Sequence, residues 1–231
     1  MPITISGDDV EGIVVRTTAG HRLSGTLVVE GGSLTPQALE AIQVHAYDAH
    51  AGAGISALML SAGGSVQADG TFEVRGLADR RLIRVSRLPP GWTLKVVRAH
   101  GTDVTDSGVD IPNADVAGVE VVVTATETHV LGTITDARGT PLGDRMVIIF
   151  PDDRGHWTAL MNRYVTSLRA SANGTFKVSA LPPATYLAAV VNDAVDGEWA
   201  EPENLERLRA AATKFVLAEG ETKTLTLRVD R

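Results

Sequence analysis

The chain has 231 residues, 44% of them hydrophobic and 4% aromatic, with 21 basic and 28 acidic side chains, a net charge of −7 and no cysteine. That composition supports a buried core in one large domain or two of about 100 residues. It excludes disulfide and thiolate chemistry, and the lack of any basic stripe speaks against nucleic acid as a partner.

The opening residues "MPITISGDDVEG" have neither the basic start nor the apolar core of a signal peptide. Ile3, Ile5, Val10, Ile13 and Val15 instead predict an edge strand over Ile3 to Thr17. An isolated strand is unstable, so residues 1–18 are expected to add to a sheet in cis, or in trans as a swapped, strand-mediated dimer. "DVEGIVVRTTAGHRLSGT" from Asp9 returns as "DVAGVEVVVTATETHVLGT" from Asp115, with one residue added. "TPQALEAI" from Thr35 predicts a single helical turn before a strand "IQVHAYD".

"DGTFEVRGL" begins at Asp69 and returns as "NGTFKVSAL" from Asn173. Asp-Gly and Asn-Gly supply the positive φ of a tight hairpin turn. Behind each turn Phe72 and Val74, or Phe176 and Val178, alternate with polar residues, which marks a strand on an antiparallel sheet packed on one side. The period of about 105 residues is too long for a solenoid and fits a whole small sandwich. "LAEGETKTLTLRV", from Leu217, is expected to close the second unit as residues 116–125 close the first. The expected division is an orphan or swapped strand 1–18, a first sandwich 19–125 and a second 126–231. Helix is expected once, near 202–213: in "EPENLERLRAAATKF", from Glu201, Pro202 suits the first turn and Leu205, Leu208 and Ala212 make an apolar stripe. The fold class expected from these elements is all-β. No apolar run approaches the roughly 20 residues of a membrane span.

Gly132, Asp136, Gly139, Pro141 and Leu142 make one motif, and Asn173, Gly174, Phe176, Leu181, Pro182, Pro183 and Tyr186 a second. Through these, residues 130–191 resemble the carboxypeptidase regulatory-like domain, with Ala184 where a glycine is usual. The first unit is similar more loosely, through Gly25, Gly70, Phe72 and Leu77. The resemblance implies two tandem transthyretin-like, Greek-key sandwiches of about seven strands each. It further implies a non-catalytic accessory module of the kind found in tandem in bacterial exported proteins, placed outside the cell, in the periplasm or on the surface. Its motif residues are turn and core residues, so they imply fold more than function.

The segment "FPDDRGHWTALMNRY" carries the candidate ligand platform. Asp152, Asp153, Arg154, His156, Trp157 and Tyr164 follow a buried strand where alternation stops. The competing expectation is that Trp157 folds back to cap the core, as expected also of Trp92 and Trp199. Asp103, Asp106 and Asp110 are weak metal candidates, against which stands ordinary pairing with Arg80, Arg81, Arg84 and Arg87. The six histidines show no zinc spacing, and no serine stands in a nucleophile elbow, so no catalytic residue, metal or other cofactor is expected. The expected function is a spacer, adhesion or ligand-binding unit whose partners are other protein domains or a glycan. The alternatives are a carbohydrate-binding module, and a hydrolase with its site between the two domains.

Overall fold

A computed structural model describes residues 19–49, 61–157, 161–191 and 201–229. The expected opening strand and Trp199 lie outside these residues. Nine strands precede residue 125: β1 (His21–Glu30), β2 (Gln43–Asp48), β3 (Ala62–Ser65), β4 (Thr71–Leu77), β5 (Asp79–Ser86), β6 (Thr93–Ala99), β7 (Thr102–Asp103), β8 (Val109–Ile111) and β9 (Val116–Thr124). Seven follow: β10 (His129–Asp136), β11 (Met146–Pro151), β12 (Thr166–Arg169), β13 (Thr175–Ser179), β14 (Ala184–Val191), β15 (Thr213–Leu217) and β16 (Thr222–Val229). Among the described residues two helices accompany them, α1 (Pro36–Ala41), capped by the Thr35 hydroxyl, and α2 (Pro202–Arg209).

The two repeated hairpins are built alike. Asp69 Oδ1 accepts from the amide and hydroxyl of Thr71 at 2.9 and 2.7 Å, and Asn173 Oδ1 from those of Thr175 at 3.2 and 2.8 Å. Gly70 and Gly174 supply φ of +82° and +77°. Phe72 is then carried opposite Gly25, and Phe176 opposite Gly132, so each ring lies over a glycine that leaves it room. The β1–β4 register shifts between His21 and Leu23, and the β10–β13 register does not.

The sheets in order are β4-β1-β9-β6-β7 and β3-β2-β5-β8, then β13-β10-β16 and β12-β11-β14-β15. Each pair encloses its own core. Leu23, Val44, Phe72, Ile83, Val97 and Val121 meet in the first, and Ile134, Val147, Phe176, Tyr186, Leu217 and Leu227 in the second. The closing strands β9 and β16 lie parallel to the opening strands β1 and β10, so both sheets are mixed rather than purely antiparallel.

Among the described residues the second sandwich has the expected seven strands, but the first has nine. The surplus is the β6–β7 hairpin, placed between β5 and β8 and paired to the outer side of β9. The matching connection of the second sandwich, between β14 and β15, carries α2 instead. This helix lays Leu205 over the outward side chains Met146, Ile148 and Phe150 of β11, which is therefore buried on both faces. The helix is shorter than its apolar stripe suggests. It stops at Arg209 because Phe215 and Leu217 alternate into the second core and pair with β14 as a strand.

Candidate functional site at the junction of the sandwiches

The loop after β11 brings the predicted platform residues close in space but does not expose them as one surface. Trp157 is 6% exposed; its Nε1 donates to the Pro151 carbonyl at 2.7 Å, and its ring meets Phe150 edge-on at 5.8 Å. Of the two expectations for Trp157 the structure has the folded-back ring, which removes its own apolar surface and the outer face of β11 from water together. Asp152 pairs with Arg209 at 2.5 Å and Lys214 at 2.6 Å, and the Lys214 bond leads the interactions that lower its pKa. Asp153 caps the 3₁₀ turn 154–156 through the Gly155 amide at 2.9 Å, and Arg154 reaches Glu206 at 2.6 Å. His156 stacks on Tyr164 at 4.2 Å, pointing the end of the loop toward the first sandwich.

The metal candidates are separated by their partners. Asp103 accepts from Thr105 at 2.9 and 2.6 Å, Asp110 from Arg80 at 2.7 and 3.1 Å, and Asp106 from Arg84 and Arg163. Among the described residues no group of three or more acids and histidines is placed to hold a metal. Pairing of the acidic loop with Arg80 and Arg84 matches the simpler expectation, except that Arg84 is buried rather than a surface charge.

Asp106 is the centre of the junction. Arg163, from the second sandwich, donates Nε and Nη2 to its two carboxylate oxygens at 3.1 and 2.8 Å. The same guanidinium sends Nη1 to the Leu94 carbonyl at 3.1 Å on β6. From the other side Arg84 donates Nη2 to Asp106 at 3.3 Å and to the Met161 carbonyl at 3.2 Å, and Nη1 to the Thr105 carbonyl at 2.7 Å. One carboxylate thus lies between two arginines, each reaching across to the opposite sandwich.

Two further contacts brace the joint. Lys95 on β6 binds Glu30 at 2.8 Å and Glu219 of the second sandwich at 2.6 Å. Thr126, in the short link from β9 to β10, is approached by a turn from each side: a β-carbon at Gly31 would stand 2.9 Å from its hydroxyl, and one at Gly220 2.5 Å from its methyl. A cavity of about 450 Å³ remains between the bodies. It is walled by Leu94, Lys95 and Arg98 of β6 on one side and by Arg163, Tyr164 and Pro182 on the other.

Asp106, Arg84 and Lys95 are ionised at neutral pH. Burial raises the pKa of Asp106, but the hydrogen bond and charge of Arg163, with Arg84, outweigh it and the net shift is downward. Burial, then the charge of Arg163, lowers Arg84 to about 10, leaving it a cation at neutral pH. The bonds to Glu219 and Glu30 raise Lys95 and hold it as an ammonium. An acid that stays ionised and a lysine that stays protonated favour adhesion between two bodies over proton transfer.

Sequence reasoning names Asp106 as a weak metal candidate, Arg84 as a partner of the acidic loop and Tyr164 as a platform residue, none of them at a junction, and does not name Arg163, Lys95, Glu219 or Thr126. Arg163 follows a loop with no periodicity, and its partner stands 57 positions away.

No family model matches the sequence, and no curated protein matches it. Among solved structures the chain is similar to the Bacillus anthracis TIE protein, at 12% identity over 92% of this chain and 34% of that one, TM-score 0.33. It is similar also to a streptococcal ancillary pilin (15% identity, 91% of this chain and 68% of that one, TM-score 0.33). A third is GBS52, the minor pilin of Streptococcus agalactiae (12% identity, 91% and 96%, TM-score 0.35). TM-scores of this size establish no shared role.

Proposed function

We propose that the chain is a non-catalytic pair of β-sandwich domains, residues 19–125 and 126–231, that acts as a stiff spacer or binding unit of a bacterial exported or cell-surface protein. The carrying observation is the junction: a half-buried carboxylate held by Arg84 and Arg163, whose donors cross between the sandwiches. A flexible tether would need no such construction, and interfaces between domains of one chain move by default unless something fixes them. The exported setting and the association with other protein domains rest on the resemblance to the carboxypeptidase regulatory-like domain.

Small-angle scattering tests the stiffness. The intact chain is expected to fit one rigid shape, and Arg163→Ala to broaden the distance distribution while each sandwich stays folded by circular dichroism. Equal scattering from the two proteins removes the reading. The setting is tested by labelling intact cells with an antibody to the chain, and a signal seen only after lysis rejects it.

A further inference from the structure

The two sandwiches share one strand plan, and comparing them exposes a difference at a single edge. In the first, the outer side of the closing strand β9 is occupied: β6 pairs with it antiparallel, from Thr93 opposite Thr124 to Arg98 opposite Glu120. In the second, the closing strand β16 ends its sheet, and among the described residues no strand lies beyond it.

That edge is unlike the others. β16 has eight residues, whereas β3, β7, β8, β12, β13 and β15 have between two and five. β4 has seven, but β3 folds against it through the Val66–Phe72 bridge. β16 contains no proline or glycine and keeps unbroken register with β10 along its whole length. Natural edges are blunted by shortness, proline, bulges or charged side chains, lysine above all; of these β16 has only Lys223 and Arg228, one near each end. In this strand Leu225 and Leu227 are buried, while Thr222, Thr224, Thr226 and Arg228 form an exposed row of mostly β-branched residues.

We propose that β16 pairs antiparallel with β16 of a second copy of this chain, joining two three-stranded sheets into one. The sequence "TKTLTLRV" is self-complementary in the register that sets Thr226 against Thr226. Leu225 then faces Leu227, Thr224 faces Arg228 and Lys223 faces Val229. Every residue keeps its own face, as a shift of one residue would not allow. No two like charges stand directly opposed. The two-fold contact is closed, so growth stops at the dimer. The inference is independent of the junction, and its failure leaves the stiff-pair reading untouched.

Sedimentation equilibrium of the intact chain tests it. The expected result is a concentration-dependent rise from 24.3 kDa to twice that mass. Thr226→Lys opposes two ammonium groups on the two-fold axis and is expected to give the monomer. An equal mixture of Thr226→Lys and Thr226→Glu is expected to recover the dimer. A monomer at all concentrations overturns the proposal, as does a dimer indifferent to Thr226→Lys. So does one that requires only residues 1–18, which would assign the contact to that segment. If Thr226→Lys fails to fold, hydrogen exchange of the unmodified chain decides. Protection of residues 222–229 that rises with concentration supports the pairing, and protection independent of concentration overturns it.

Discussion

Gly132 and Gly25 sit at the same point of the two sandwiches but are glycine for different reasons. A β-carbon at Gly132 would overlap the ring of Phe176, whereas one at Gly25 would run into the Val119 carbonyl. A ring can shift and a neighbouring strand's backbone cannot. Gly132→Ala is therefore expected to destabilise by about 1–3 kcal/mol through overpacking, and Gly25→Ala by more. Urea denaturation measures both, and pairing Gly132→Ala with Phe176→Leu should restore part of the loss. Turn and core residues of this kind were legible, because Asn-Gly followed by alternation has few other meanings. The burial of Trp157 against β11 agrees with the fold-back expectation set against the platform. Whether an indole faces water depends on whether the strand below it has a second apolar face, and "MVIIF" reads the same in either case.

At the scale of elements, the repeat told which strands correspond and stayed silent on what fills the gap between the fifth and the next. There one sandwich grows a hairpin and the other a helix, and neither segment repeats the other. The helix ends before the sequence predicts because Ala210, Ala211 and Ala212 continue helical propensity past the point where pairing with β14 takes over. Leu205 is fully buried beneath the loop that holds Trp157. Leu205→Ala should cost about 2–5 kcal/mol. If the helix is the true cover of that face, the Trp157 emission should move to the red below the unfolding transition; an unchanged spectrum would mean that the indole is shielded without it.

At the scale of the whole molecule, the tandem plan was visible in the period, but the joint was not, since it consists of single side chains far apart in sequence. Its acid side is testable. The Asp106 pKa is lowered from 3.8, so the native state holds this carboxylate ionised where the unfolded chain would protonate it. The stabilisation is complete above the unfolded value and is lost as pH falls through the lower, folded one. The scattering of the intact chain should therefore broaden on acidification below that range, and Asp106→Asn should scatter at neutral pH as the acidified protein does. If the variant remains compact, Lys95 with Glu219 and the packing at Thr126 suffice to hold the joint.

The parallel pairing of opening and closing strands also decides how the molecule answers a pull. Tension entering at His21 and leaving after Thr124 draws β1 and β9 past each other lengthwise, so their seven paired positions are sheared together rather than peeled one by one. The same holds from His129 to Val229 across the eight pairs of β10 and β16. Two such shear clamps stand in series, joined by a link of only four residues, 125–128. In force spectroscopy each sandwich should give one abrupt release of about 350 Å, as roughly 100 residues extend at about 3.5 Å each. Forced unfolding reads the rate of opening rather than the equilibrium stability. Gly132→Ala, which disturbs the ring over β10, should therefore lower the second clamp's rupture force and leave the first unchanged.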